Sequence, residues 1–538
     1  MIGADAIVKC LEKEGVTTLF GYPGVAICPF FNSILKTKIE TVLVRSEQNA
    51  AHSASGYARV TGSVGVCAVT SGPGATNLIT GIATAYADSI PLVCITGQVD
   101  SKLLGSDVFQ EADITGAAES FVKYSYLVKD AADIPRIIKE AFHIASTGRK
   151  GPVLIDIPID VQNAQVPSFR YPEAVNLRTY KPTVKGHAVQ LKKVNKELAR
   201  AKKPLILAGG GVILSGAKEE LIDFSHRYGI PVVSTMMGIS SMSSSDPLYF
   251  GMIGNNGKTY ANLAMKESDL LIVIGARIAD RAVSSPDLVA ANTVLIHIDV
   301  DPAEIGKNVG PTIPIVGDIK HIFKDLAKET VPCDFSSWVK TLEGYRAKEK
   351  TRKSPRKGYI DPAKFVSALS QRLGNNDVYV ADVGQNQMWS CGYYEAKGGR
   401  FLTSGGMGTM GYSIPAAIGA KKADMKRKVV AVCGDGSFQM AMCELATMVQ
   451  HNIPIKIVVF NNGYLGLVRE YQHKTYNGGY SMVDLGKSPD LSFIAQAYGI
   501  PFVRLKNSAD MDKELDRFLS EKGPGLMECI LDPMDVVK

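Results

Sequence analysis

The sequence predicts an α/β protein built from three doubly wound parallel-sheet domains, and three observations carry that expectation. Short β-branched apolar runs of the kind buried in parallel sheets recur along all 538 residues and alternate with stretches of helical period. Glycine- and proline-rich turns stand where those runs end. The chain is too long for one hydrophobic core, and two charged or proline-rich connectors divide it, Val166 to Lys185 and a surface-crossing Pro332 to Lys357. The resulting blocks are 1–165, 186–330 and 358–538.

In the first block the strands are expected at Val42 to Val44, Val64 to Thr70, Leu92 to Thr96 and Val153 to Ile157, with helices at Ala4 to Glu14 and Ala50 to Arg59. Turn chemistry sits at Gly21-Tyr22-Pro23-Gly24, Ser71-Gly72-Pro73-Gly74 and Gly151-Pro152. Glu47 follows the strand Thr41 to Arg45 and precedes a helix. A carboxylate at the carboxyl end of a parallel strand faces the crevice where ligands bind. An isolated glutamate there is also a helix-start residue favoured by the dipole.

The second block has strands at Pro204 to Ala208, Pro231 to Ser234, Leu270 to Ile274 and Val294 to Ile298. Gly209-Gly210-Gly211 follows the first of these but lacks GxGxxG spacing, a weak nucleotide signal by itself. Thr235 to Gly238, Gly275-Ala276-Arg277, Asp299 and Gly317-Asp318 stand at further strand ends.

In the third block, Val429 to Cys433 reads as a buried strand broken by Gly434-Asp435-Gly436. Phe438, Met442, Leu445 and Val449 recur at helical spacing and predict one helix. A second strand, Ile455 to Phe460, ends on Asn461-Asn462. Parallel strands of a βαβ unit end on one edge, so Asp435 and Asn462 fall side by side above a helix N-terminus. That end favours anions, and paired hard oxygens beside a phosphate cradle suit Mg²⁺.

Composition narrows the class. A hydrophobic content of 46% with 21% charged residues is that of a soluble globular protein. The net charge of +7 is spread along the chain, and the cluster Lys421, Lys422, Lys426, Arg427 and Lys428 reads as solvated loop. No basic run carries interleaved aromatics, which argues against nucleic acid. Nine cysteines without CxxC pairs read as reduced thiols of a cytoplasmic protein. Asp5, Glu12 and Glu14 interrupt any signal-peptide core, and no stretch is apolar enough to cross a membrane.

The spacing from Gly434-Asp435-Gly436 to Asn461-Asn462 resembles the diphosphate-and-metal signature of thiamine-diphosphate (ThDP) enzymes. The run SEQNAAHSASGYARVTG with TSGPGATN, and the stretches VADVGQNQMW and FLTSGGMGTMGYSIPAAIGA, narrow the resemblance to the acetohydroxyacid synthase family. The three blocks then correspond to pyrimidine-binding, central nucleotide-binding-like and diphosphate-binding domains. The resemblance implies the following roles. Glu47 bonds the cofactor's aminopyrimidine. Gly408 and Met410 support its bent shape, and Gly384, Gln385, Gly436 and Ser437 line the diphosphate. Asp435, Asn462 and the Tyr464 carbonyl hold Mg²⁺. IVIGARIADR resembles the family's flavin segment, so FAD is expected against Arg149, Gly210, Thr235, Met236, Gly275, Arg277, Asp299 and Asp318, without a redox part. Arg281 would take the acceptor carboxylate, with Phe109, Gln110 and Tyr471 around the substrate.

The implied reaction decarboxylates pyruvate and joins the two-carbon unit to a second 2-oxo acid. The implied assembly is a homodimer or homotetramer that admits a small regulatory subunit. Departures fall near the substrate: Val25, Ser46, Asn49, Ile159, Ala279 and Tyr471 stand where the family usually has other residues. Alternatives therefore stay open. They are a ThDP-dependent 2-oxo-acid decarboxylase or acyloin lyase, a flavin-redox oxidase, and a non-catalytic protein on the same fold.

Overall fold

The computed structural model describes residues 1–283, 289, 292–310, 312–328, 333–350, 352–486 and 488–537. Parts of the second connector expected at 332–357, and the last residues of the central block, lie outside that set.

Three six-stranded sheets, all parallel, form the frame. The first comprises β1 (Thr18–Tyr22), β2 (Glu40–Leu43), β3 (Gly65–Val69), β4 (Leu92–Gln98), β5 (Tyr124–Leu127) and β6 (Pro152–Pro158), in the order β2-β1-β3-β4-β6-β5. The second contains β7 (Pro204–Ala208), β8 (Val232–Ser234), β9 (Tyr249–Met252), β10 (Leu270–Ile274), β11 (Val294–Asp299) and β12 (Thr312–Val316), in the order β12-β11-β10-β7-β8-β9. The third holds β13 (Val378–Ala381), β14 (Arg400–Thr403), β15 (Val429–Gly434), β16 (Lys456–Asn461), β17 (Phe502–Leu505) and β18 (Gly525–Ile530), in the order β14-β13-β15-β16-β18-β17. The first and third sheets thus share one topology. The middle one has the order of dinucleotide-binding folds, reversing between β7 and β10.

These strands read as unbroken apolar runs because helices cover both faces of each sheet. β3, β4, β6, β7, β10 and β13 are buried along their whole length. One core cluster crosses a domain boundary. Ala50, Ala54 and Ala58 of the Glu47–Thr61 helix meet Ala416, Ala417 and Ala420 of the Ser413–Ala423 helix, joining the inner faces of the first and third sheets. The seam is lined with small residues, and its backbones touch. A methyl group on Gly56 would lie 1.9 Å from the Ala416 carbonyl oxygen, and one on Gly419 would lie 1.8 Å from that of Ser53.

Three expectations are corrected. The single helix after Asp435 is two, Asp435–Ala441 and Glu444–Gln450, and Val449 points outward at 43% exposure. The second connector is not merely a surface crossing: Ser336–Ala347 is a helix whose Trp338 and Leu342 are buried against the central sheet. Lys421 is not solvated loop; it ends a buried helix and its Nζ donates to the carbonyls of Met425 and Arg427.

Candidate active site

The switch point of the third sheet lies between β13 and β15, where a doubly wound fold opens a crevice. Gly384, at φ +132°, follows β13, and Asp435 follows β15. The Asp435 carboxylate accepts from the amides of Gly436 (3.1 Å) and Gly463 (2.8 Å). Asn462, at the end of β16, accepts from the Tyr464 amide at 2.9 Å and donates to Gln385 Oε1 at 2.8 Å. Asp435, Asn462, Tyr464 and Gln385 are therefore gathered at one edge, as parallel pairing of β15 with β16 requires. Gln385 also donates to Glu470, and the Ser437 hydroxyl bonds Gly434.

Burial pushes the Asp435 carboxyl up to about 7, and among the described residues no cationic side chain pairs with it. A desolvated carboxylate without a counter-charge fits a divalent cation, which would restore the charged form. Met410 comes to Gly436: a methyl on that glycine would meet Met410 Cε at 3.6 Å. Gly408, at φ +71°, lies beside the Arg281 guanidinium, so two expected groups from different domains converge.

Glu47 opens the Glu47–Thr61 helix at the edge of the first sheet. Its Oε2 accepts from Asn77 at 3.0 Å, and its Oε1 comes within 3.4 Å of where a Gly74 methyl would stand. Thr70 fills the space between Gly24 and Gly74. The hydroxyls of Thr70 and Ser71 beside it are buried and, among the described residues, have no hydrogen-bond partner. Gln110 rests on this turn with a left-handed backbone (φ +60°), made possible by Gly72, where a methyl would collide with Gln110 Cα at 2.9 Å. Val25 and Phe109 project from the same edge, 76% and 86% exposed. Among the described residues, no hydrogen bond or ion pair within the chain joins Glu47 to Asp435, Asn462 or Gly408.

The third set of residues lines a cavity of about 870 Å³ between the domains. Arg149, Gly210, Thr235, Met236, Gly275, Arg277, Asp299 and Asp318 all reach its wall, as do Arg281 and Tyr471. Its floor is the switch point of the middle sheet, where Gly209 and Gly211 approach Gly275 so closely that a methyl on Gly209 would lie 2.1 Å from the Gly275 carbonyl. Several of these side chains already have protein partners. Arg149 pairs with Asp301 (3.0 Å) and Glu304 (2.9 Å), Arg277 donates to the Ala87 carbonyl, and Asp318 caps the Ile319–Leu326 helix. Burial raises the Asp299 carboxyl to about 6. The volume falls in the roughly 300–1,000 Å³ range of cofactor clefts, and the glycine floor fits a dinucleotide.

Two buried carboxylates escaped sequence reasoning. Asp382, at the end of β13, accepts from the amides of Gly411 (2.9 Å) and Ser413 (2.7 Å) and holds the loop bearing Met410. Glu444 accepts from the Arg45 amide and the Asn49 side chain, both at 2.9 Å, and so grips the chain on either side of Glu47. Asp382 lies inside VADVGQNQMW and could have been weighed there; Glu444 carries no local signal.

Comparison with known families matches residues 1–117 to the thiamine pyrophosphate enzyme N-terminal TPP binding domain, 191–326 to the central domain, and 382–529 to the C-terminal TPP binding domain. The chain is 43% identical over its whole length to a probable acetolactate synthase large subunit of Methanocaldococcus jannaschii, covering 93% of that protein. It is 44% identical to the acetolactate synthase large subunit of Haemophilus influenzae, with 97% of this chain and 92% of the relative covered. Against the Lactococcus lactis acetolactate synthase large subunit the figures are 42%, 99% and 93%. With identity of this order from end to end, and with both TPP-binding domains and the central domain in register, the chain belongs to the acetolactate synthase large-subunit family of thiamine pyrophosphate enzymes.

Proposed function

We propose that this protein is a ThDP-dependent acetolactate synthase. It decarboxylates pyruvate and joins the resulting two-carbon unit to a second 2-oxo acid. The observation that carries the reading is the meeting of Asp435, Asn462 and Gly384 at one switch point, in a chain that aligns throughout with relatives of that name. Bound ThDP supplies the electron sink that amino-acid side chains lack.

Around it the chain's own groups bind, orient and protonate. Asp435, Asn462 and the Tyr464 carbonyl hold Mg²⁺ against the diphosphate, beside Gly384, Gln385, Gly436 and Ser437. Met410 and the Gly408 backbone would bear on bound ThDP from the loop that reaches Gly436. Glu47 shares a proton with the pyrimidine ring nitrogen. Arg281 offers its planar fork to the acceptor carboxylate, with Gln110, Phe109 and Tyr471 around the substrate. Arg149, Gly210, Thr235, Met236, Gly275, Arg277, Asp299 and Asp318, which line the cavity, would hold FAD.

Glu47 and Asp435 belong to separate clusters within one chain, and Val25 and Phe109 stand exposed beside Glu47. Both features support a homodimer or homotetramer in which one protomer's pyrimidine edge completes its partner's diphosphate site. The large-subunit names of the relatives support a small regulatory subunit, and we place the enzyme in the cytoplasm. Among the described residues no helix is long and apolar enough to cross a membrane.

Product analysis after incubation with pyruvate, ThDP, Mg²⁺ and FAD tests the reading. Acetolactate is expected. Free acetaldehyde in its place would reveal a decarboxylase, the alternative that Val25 and Ile159 favour, and oxygen uptake would reveal an oxidase.

A further inference from the structure

The Gly56-Tyr57-Ala58-Arg59 motif has no part in the chemistry above, yet its arginine is buried with one ion-pair partner. Arg59 Nη2 meets Asp88 Oδ2 at 2.6 Å, with side chains 4% and 0% exposed. Both residues belong to the first domain, but their remaining side-chain hydrogen bonds leave it. Arg59 Nη1 donates to the Thr403 carbonyl at 2.8 Å. Asp88 accepts from the amides of Gly406 (2.7 Å) and Gly405 (3.2 Å). One helix turn before Asp88, the buried Thr84 hydroxyl bonds Thr409 Oγ1 at 2.7 Å while donating to the Thr80 carbonyl. Four contacts from the first domain thus converge on residues 403–409 of the third, the loop that carries Gly408 and leads into Met410.

Within the third domain Gln387 Nε2 donates to Thr403 Oγ1 (2.7 Å) and to the Ser404 carbonyl (3.0 Å), and the Thr409 amide donates to Ser404 Oγ (3.0 Å), so the start of the loop is held from its own domain while Gly405 and Gly406 are held from the first. The loop is rich in glycine, and Gly406 approaches the Ala87 carbonyl so closely that a methyl would lie 2.8 Å away. A glycine-rich segment loses much conformational entropy on ordering, and such segments stay open unless tied down. Asp382 ties the far end, at Gly411 and Ser413. A buried charged pair costs desolvation that its mutual attraction offsets only in good geometry. Its placement at the boundary with the third domain is therefore better explained by where it holds the loop than by stability.

We propose that Arg59, Asp88 and Thr84 are positioning residues: they form a clamp through which the first domain sets the Gly405–Met410 loop, and through it the bent cofactor. The inference rests on the reading that Gly408 and Met410 face ThDP.

Thr84→Val tests it with little risk to folding, because valine keeps the buried volume and removes the hydroxyl that Thr409 uses. Asp88→Asn is the stronger perturbation, leaving Arg59 without its counter-charge. In the full-length apo protein, amide hydrogen exchange of residues 404–411 is expected to quicken in Thr84→Val, while that of β15 stays as in the wild type. Calorimetric titration with ThDP and Mg²⁺, and turnover with saturating pyruvate, should each fall about 3–10-fold, the worth of one hydrogen bond, with KM for pyruvate little changed. Met410→Ala runs in parallel. Unchanged exchange at 404–411 in Thr84→Val overturns the clamp. Faster exchange with unaltered ThDP affinity and kcat, while Met410→Ala weakens both, overturns its positioning role. If Met410→Ala alters neither, the cofactor-facing reading of the loop fails and takes the proposal with it.

Discussion

Replacing Gly56 by alanine adds one methyl group at a point where the helices of the first and third domains touch backbone to backbone. On the helix alone the change is favourable by about 1 kcal/mol, because alanine has the higher helix propensity. Against the partner helix it is not. The new carbon would lie 1.9 Å from the Ala416 carbonyl oxygen, where real Cβ atoms keep at least 3.0 Å, and the obstacle is backbone rather than a side chain that can swing away. The two helices must part by about an ångström or more, loosening the alanine contacts along the seam. Overpacking of this kind costs roughly 3 kcal/mol, so the net expectation is a loss of about 2 kcal/mol. Gly344 provides the matched control: it sits in the Ser336–Ala347 helix with nothing within 4 Å of the added methyl. There the same substitution should stabilise by up to about 1 kcal/mol. Scanning calorimetry of the apo proteins measures both. A multidomain chain need not unfold in one step, so the comparison is of apparent Tm under one scan rate. Gly56→Ala melting at or above the wild type would refute the close-approach argument.

Glu47→Gln should keep the fold and ThDP binding but lose about 10²–10⁴-fold in turnover; near-wild-type kcat removes Glu47 from the mechanism. Asp435→Ala should abolish Mg²⁺-dependent ThDP binding in calorimetric titration, since the cation loses its only charged protein ligand; unchanged affinity would refute the metal assignment. Arg356→Gln should lower stability at pH 6. The Arg356 hydrogen bond holds the Asp532 carboxyl down at about 2, against about 3.9 for a free aspartate. A depressed carboxyl stabilises the fold above about pH 4, and that stabilisation is lost as pH falls toward 2. Urea midpoints of wild type and variant should therefore converge on acidification; a gap independent of pH would exclude the pair as its source.

The strands were legible because a buried parallel strand has no polar face to blur it. β7 and β10 run between the residues expected, β15 is one residue longer at its end, and β16 is shifted by one residue at both ends. The Asp435–Asn462 pairing followed from parallel geometry and needed no tertiary information. What stayed hidden depends on distant chain. The Phe438–Val449 periodicity runs through the break at Met442-Cys443, which turns Glu444 inward to meet Arg45 and Asn49. Ser336–Ala347 was masked by its Lys, Glu and Arg residues, which outnumber the Trp338 and Leu342 that anchor it. Lys421 looked exposed by composition, yet its stem is buried and its ammonium is satisfied by carbonyls only the folded helix end supplies. Arg59 could be read as part of a motif; that Asp88 would neutralise it could not.

The glycine seam also bears on how the chain is made. The Glu47–Thr61 helix is synthesised well before its partner, Ser413–Ala423, which emerges some 350 residues later. At roughly 5–20 residues per second, ribosomal elongation separates the two by about 20–70 s. Throughout that interval the nascent first domain presents Ala50, Ala54 and Ala58 as a naked apolar stripe, long after its own sheet can close. That stripe is a natural landing place for chaperones and, when they are scarce, for a neighbouring nascent chain. Yield in the cell should therefore respond more steeply to elongation rate and chaperone supply than the finished protein's melting temperature suggests.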